Sequence, residues 1–115
     1  MGNLNPTVVL IPAHNEEATV GDVVARVRRL WNLPVVVIDD CSTDRTVRIA
    51  RGAGATVLPL TIQLGAWGAI QTGLRHALRQ GYRIAVTLDA DGQHDPEDIG
   101  TLLRPLATAA FDVLR

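Results

Sequence analysis

Four runs of apolar, largely β-branched residues limit what this chain can become. They are Thr7-Val8-Val9-Leu10-Ile11, Val35-Val36-Val37-Ile38, Ala55-Thr56-Val57-Leu58 and the stretch from about Tyr82 to Leu88. The first two do not alternate apolar with polar residues, so both faces of each strand must be covered, as in a parallel sheet. Helical patterns separate the runs. Val20, Val23, Val24, Val27, Leu30 and Trp31 recur at i, i+3, i+4, i+7 and predict the inward stripe of a helix starting near Thr19. Arg26, Arg28 and Arg29 fall away from the centre of that stripe and read as its solvated face.

A second helix is predicted over roughly Asp44 to Arg51, with Ser42 or Thr43 as its cap and Asp44 in its first turn. A third runs from about Ala69 to Gln80, with Ile70, Leu74, Ala77 and Leu78 inward, and a last one spans roughly Glu97 to Leu103. Pro12 and Pro59 are expected to stop the first and third strands, and Phe111 to Leu114 to begin a fifth. Alternating strands and helices with short connections predict an α/β fold, a doubly wound, mainly parallel sheet in an αβα sandwich. The 115 residues, 1–115, are expected to form one domain around one core.

Composition removes several function classes. The formal net charge is -1, which gives no general attraction to nucleic acid, so none is expected as a partner. Cys41 is the only cysteine, which rules out an internal disulfide. No apolar stretch approaches the ~20 residues of a membrane helix. Met1-Gly2-Asn3-Leu4-Asn5-Pro6 lacks the basic and apolar parts of a signal peptide, so a cytoplasmic location is expected.

The acidic residues are gathered at strand ends. His14-Asn15-Glu16-Glu17 follows the first strand, Asp39-Asp40-Cys41-Ser42-Thr43-Asp44 the second, and Asp89-Ala90-Asp91-Gly92-Gln93-His94-Asp95 the fourth. In a parallel sheet these turns leave the same edge, which is where open α/β sheets bind ligands. Glu16, Glu17, Asp39, Asp40, Asp44, Asp89, Asp91 and Asp95 make up eight of the 12 acidic residues. Taken alone, Asp89-Ala90-Asp91 reads either as a metal-diphosphate site or as a solvated turn that caps a helix. The gathering of oxygen ligands favours the first, with a hard ion such as Mg²⁺ or Mn²⁺. A dinucleotide-binding turn is absent, because Pro12-Ala13-His14-Asn15-Glu16-Glu17 stands where G-x-G-x-x-G belongs. A P-loop is excluded too, since the chain contains no lysine.

Three segments resemble the signatures of family 2 glycosyltransferases: Val9 to Glu17, Val37 to Thr46 and Leu88 to Asp98. Leu64-Gly65-Ala66-Trp67-Gly68-Ala69-Ile70-Gln71-Thr72-Gly73 is similar to the glycine-rich loop and helix of one branch, the dolichol-phosphate mannose synthases and polyprenyl-phosphate sugar transferases. The resemblance spans nearly the whole chain but only the first half of that family's catalytic domain.

It implies a GT-A, Rossmann-like nucleotide-binding half. The implied function is inverting transfer of a sugar from a UDP- or GDP-sugar, with polyprenyl or dolichyl phosphate at the membrane surface as acceptor. By motif position, Pro12, His14, Glu16, Ile38, Asp40 and Asp89 would contact the nucleotide. Asp89, Asp91 and Gln93 would hold Mg²⁺ or Mn²⁺. No catalytic base is implied within these residues. The rival reading is a non-catalytic nucleotide-binding or interaction module, or an inactive fragment, and an exposed sheet edge would favour self-association. Asp39 reads as a turn or cap stabiliser. Cys41 reads as a small residue tolerated where the family often has Gly or Asn, and Trp67 as packing under its loop.

Overall fold

The computed structural model describes residues 7–91. The helix expected near Glu97, the strand expected at Phe111 and the candidate metal ligand Gln93 lie outside the described residues.

The elements run β1 (Thr7–Ala13), α1 (Val20–Trp31), β2 (Val35–Asp39), α2 (Thr46–Gly52), β3 (Thr56–Pro59), α3 (Gly65–Arg79) and β4 (Ile84–Thr87). The strands form one sheet in the order β3-β2-β1-β4, and every pairing is parallel. Strand order reverses between β1 and β4, so a crevice opens there at the carboxyl edge.

The non-alternating strands are explained by two cores. Val9, Ile11, Val35 and Val37 face one side and pack with Val20, Val23, Val24 and Val27 of α1 and Ala50 of α2. Val8, Leu10, Val36 and Ile38 face the other side and pack with Ala69, Leu74 and Ala77 of α3. The layers are therefore α1 and α2, the sheet, and α3, the doubly wound sandwich expected from the sequence.

Helix α3 lies very close to the sheet. A Cβ placed on Gly73 would come within 2.8 Å of Ile38 Cδ1 and 3.2 Å of Leu10 Cδ1. Glycine at this position lets the helix axis approach β1 and β2, with Ala69 and Ala77 one turn away on either side.

Four details differ from expectation. Pro12 does not stop β1, which continues to Ala13 and keeps its register with β2 as far as Ala13↔Asp39. Leu10 accepts the Leu88 N–H, so Pro12, two residues on, turns its missing N–H to the β4 side. Pairing of β1 with β4 reaches only Leu10↔Thr87. The proline thus ends one ladder and spares the other, which separates β1 from β4 at the edge of the crevice.

The stripe of α1 ends at Val27, because Leu30 and Trp31 are 43% and 37% exposed near the turn-out at Asn32. Leu78 of α3 is likewise half exposed rather than inward. Finally, α3 begins at Gly65 rather than near Ala69.

Candidate functional site

Three loops leave the carboxyl ends of β1, β2 and β4 and meet around one cavity of about 240 Å³. Pro12, Ala13, His14, Glu16, Asp40, Ala66, Asp89, Ala90 and Asp91 line it. Of the residues singled out from the sequence, Pro12, His14, Glu16, Asp40, Asp89 and Asp91 are therefore brought together. Ile38 is not among them. Its side chain is fully buried beneath α3, against Gly73, and does not line the cavity.

Asp40 is the hub. Its N–H donates to the Ala13 carbonyl (2.8 Å), joining the ends of β1 and β2. Its carbonyl accepts from His14 Nδ1 (2.7 Å). A carbonyl can only accept, so His14 carries a proton on Nδ1. In the neutral ring Nε2 is then an acceptor, and Asn15 Nδ2 lies 3.3 Å from it. The Asp40 carboxylate accepts the Leu64 N–H on Oδ1 (2.7 Å) and the Gly65 N–H on Oδ2 (2.9 Å).

These two amides open α3, and no side chain near them in sequence caps the helix. A carboxylate at a helix N-terminus satisfies orphan donors and complements the helix dipole. This distant cap explains why α3 starts a turn before its local sequence suggests. Gly65 sits at φ +84, a backbone state that only glycine enters freely.

The β1–α1 and β2–α2 loops are laced together. Asn15, in the left-handed region at φ 52, donates its N–H to Ser42 Oγ (2.8 Å) and accepts the Thr43 N–H on Oδ1 (2.8 Å). Glu16 N–H donates to Thr46 Oγ1 (2.9 Å), and Glu17 N–H to Asp44 Oδ2 (3.3 Å). Arg45 returns its N–H and its Nε–H to Glu17 Oε1.

Ser42 and Thr43 thus serve the neighbouring loop and do not cap α2. Asp44 takes that place, accepting the Thr46 N–H (2.9 Å) and the Thr46 hydroxyl on Oδ1. Asp39, 3% exposed, accepts the Ser42 N–H (3.1 Å), the turn-stabilising part expected of it. Cys41 occupies the left-handed region at φ 63, which is the physical reason Gly or Asn suits this position. Its thiol reaches the Thr61 carbonyl at 3.7 Å.

The Asp44 carboxyl is held below its ordinary value of 3.8. Partial desolvation pushes it up, but hydrogen bonds from the Thr46 hydroxyl, the Thr46 N–H and the Glu17 N–H outweigh that push. A depressed carboxylate stabilises the fold above its unfolded value, and that stability is lost as pH falls through the folded value. Acidification below 3.8 should therefore loosen the lacing between the two loops. An Asp44→Asn chain should show a flatter fall of melting temperature over that range. Identical profiles for the two chains would show that Asp44 does not couple the loops to pH.

The third loop carries Asp89 and Asp91, both exposed, on either side of Ala90, which is 3% exposed. Leu88 and Ala90 belong to the α1-side core. Burial thus alternates through the turn, with the apolar pair inward and the carboxylates at the crevice. Thr19 Oγ1 donates to the Ala90 carbonyl across 2.6 Å.

The donor set is all oxygen, as a hard divalent ion requires. Among the described residues no three acidic, histidine or cysteine side chains close on one point. One or two carboxylates sharing an ion with phosphate oxygens and water is the usual arrangement for Mg²⁺. The residues present fit an ion held jointly with a diphosphate.

Trp67 is not packed under its loop. It is 67% exposed, with Ile62 (66%) and Leu64 (46%) exposed near it in sequence. Ala66, in the same stretch, lines the cavity. No helix among the described residues is long and apolar enough to cross a membrane. The tethers from Thr19 and Thr46 and the capping of α3 by Asp40 were not read from the sequence. Thr19 had shown only as a helix start.

Comparison with known proteins agrees with this geometry. The model of glycosyl transferase family 2 matches residues 8–114. The undecaprenyl-phosphate mannosyltransferase of Micrococcus luteus is 35% identical over 108 residues, covering 89% of this chain and 44% of that protein. The polyprenol monophosphomannose synthase of Mycolicibacterium smegmatis is 34% identical over 104 residues, covering 84% of this chain and 39% of that protein. The chain therefore spans less than half the length of these curated relatives. Among solved structures, the M. tuberculosis glucosyl-3-phosphoglycerate synthase superposes with a TM-score of 0.72 at 29% identity, covering 89% of this chain and 41% of that one. A structure of the same synthase in complex with Mn²⁺, UDP and glucosyl-3-phosphoglycerate gives a TM-score of 0.67 at 27% identity, covering 85% of this chain and 39% of that one.

Proposed function

The chain belongs to glycosyl transferase family 2, and from that premise we propose that it is the donor-binding part of an inverting transferase. It would hold a nucleotide-diphosphate sugar through Mg²⁺ or Mn²⁺, and polyprenyl or dolichyl phosphate would receive the sugar. One observation carries the reading: Glu16, Asp40, Asp89 and Asp91 come from three separate loops to one cavity. Two like charges 4 Å apart near a protein surface repel by about 4 kcal/mol. A bare diphosphate would be turned away from such a wall. A cation reverses the sign and gives the carboxylates a purpose.

In this reading Pro12, His14 and Glu16 line the nucleoside, and His14 is oriented by the Asp40 carbonyl. Asp40 keeps lone pairs for N–H groups of the base while anchoring α3. Asp89 meets the ribose or the metal shell, and Asp91 binds the ion. A cavity of about 240 Å³ lies under the roughly 300 Å³ at which sites for drug-sized ligands begin, so these walls enclose part of the donor.

Asp91, with Asp89, would hold the divalent ion, which would supply stabilisation of the negative charge that grows on the departing diphosphate. The acceptor oxygen forms its bond to the anomeric carbon as the carbon–diphosphate bond breaks on the opposite face, which inverts that centre. A lipid phosphate oxygen is already anionic and needs no base from these residues. The exposed Ile62 and Leu64 before α3 and Trp67 in its first turn suit a lipid-linked acceptor and a place against the cytoplasmic membrane surface. The names of the Micrococcus and Mycolicibacterium relatives support the same acceptor class.

Calorimetric titration with UDP and GDP, with and without Mn²⁺, tests the site. Binding of one nucleotide that disappears on chelation is expected. Equal binding without any divalent ion would overturn the proposal. Metal-dependent binding with no transfer to polyprenyl phosphate would favour the nucleotide-binding module instead.

A further inference from the structure

Thr19 stands at the N-cap of α1, where a threonine ordinarily accepts a hydrogen bond from an amide of the first turn. Here no such bond exists. The hydroxyl instead donates, across 2.6 Å, to the carbonyl of Ala90, 71 residues further along the chain. A local cap has been given up for a distant contact, and the contact falls on the peptide between the two exposed carboxylates.

We infer that Thr19 is a positioning residue for the acidic turn. Its hydroxyl fixes the plane of the Ala90–Asp91 peptide and so the direction in which Asp91 presents its carboxylate. The inference rests on the reading of that turn as the place where the ion and diphosphate bind.

Ala90 is held in two ways. The Ala90 methyl is buried in the α1-side core with Val20 and Leu88, which resists translation. A methyl in a core leaves the peptide plane free to rock, whereas a hydrogen bond to its carbonyl resists rotation. Thr19 Oγ1 also lies 3.4 Å from Glu16 Oε2, a longer and weaker contact. The hydroxyl therefore sits between the β1–α1 loop and the acidic turn, and ties together two walls of one cavity.

Thr19→Val and Thr19→Ala remove the hydroxyl, while Thr19→Ser retains it. Mn²⁺ with UDP would be titrated calorimetrically into each chain, and amide exchange at Ala90 and Asp91 followed by NMR without ligand. Loss of a group that orients a metal ligand typically weakens binding by about tenfold or more, and that loss is expected for the valine and alanine chains. Both should also exchange faster at the turn, and the serine chain should restore affinity and protection together. Unchanged affinity and exchange in the valine or alanine chain would overturn the inference, as would a folded serine chain as weak as the valine one. Should the unaltered chain fail to bind Mn²⁺ and UDP, the site reading fails. Exchange then still decides on Thr19: faster exchange upholds the tether and unchanged exchange removes it.

Discussion

Replacing Asp91 with alanine should lower the affinity for UDP in the presence of Mn²⁺ by about a hundredfold or more. Even residues that only orient a metal ligand are worth about tenfold to a hundredfold when removed, so a direct ligand should lie at or above the top of that range. The loss has two parts. One carboxylate no longer holds the ion, and the remaining wall of Glu16, Asp40 and Asp89 stays acidic and still repels the diphosphate. Asp91 is exposed, so the fold should not suffer, since surface substitutions usually fall within about 0.5 kcal/mol. Calorimetry with Mn²⁺ and UDP, paired with a thermal melt, separates the two effects. Affinity close to that of the unaltered chain, with an unchanged melt, would leave the turn as a solvated acidic loop. Asp91→Asn sharpens the test: it keeps the size and one carbonyl oxygen but no charge, so its affinity should fall nearly as far.

The sheet was legible because its signals are local. Val8 to Ile11 and Val35 to Ile38 declare strands buried on both faces, and that is how they sit. The convergence of the acidic turns followed from the parallel topology alone. What escaped the sequence was every feature set by a partner far along the chain. The start of α3 at Gly65 depends on the Asp40 carboxylate, 25 residues earlier, because Leu64 stands at the N-cap and its apolar side chain cannot cap the helix. Pro12 was read as a stop, yet only the β4 side of β1 is affected by its missing N–H. Ile38 was placed at the nucleotide because the family motif includes it. Strand alternation, which turns Val36 and Ile38 to one face and Val35 and Val37 to the other, would have put it under α3. Cys41 carried a readable clue, because Gly or Asn at that position of the motif signals the positive φ that the backbone adopts.

The second large effect is expected at Asp40. Alanine there should destabilise the fold by about 3 kcal/mol, the low end for two hydrogen bonds to a charged acceptor at about 1.5–3 kcal/mol each. The low end is appropriate because Leu64 and Gly65 are exposed, so water can partly replace the carboxylate. Asparagine offers one acceptor oxygen and turns an N–H₂ toward the other amide, so Asp40→Asn should lose roughly half as much. Urea melts measure both losses, and amide exchange locates them: the first turn of α3 should open while α1 keeps its protection. A loss below about 0.5 kcal/mol in the alanine chain would mean that α3 does not depend on this cap. The nucleotide gives the second readout. If Asp40 only contacted a base, affinity would fall and stability would hold. If it only anchored the helix, stability would fall, and affinity measured well below the melt would hold. Each oxygen meets one α3 amide and keeps a further lone pair, and the residue lines the cavity, so both quantities should fall together.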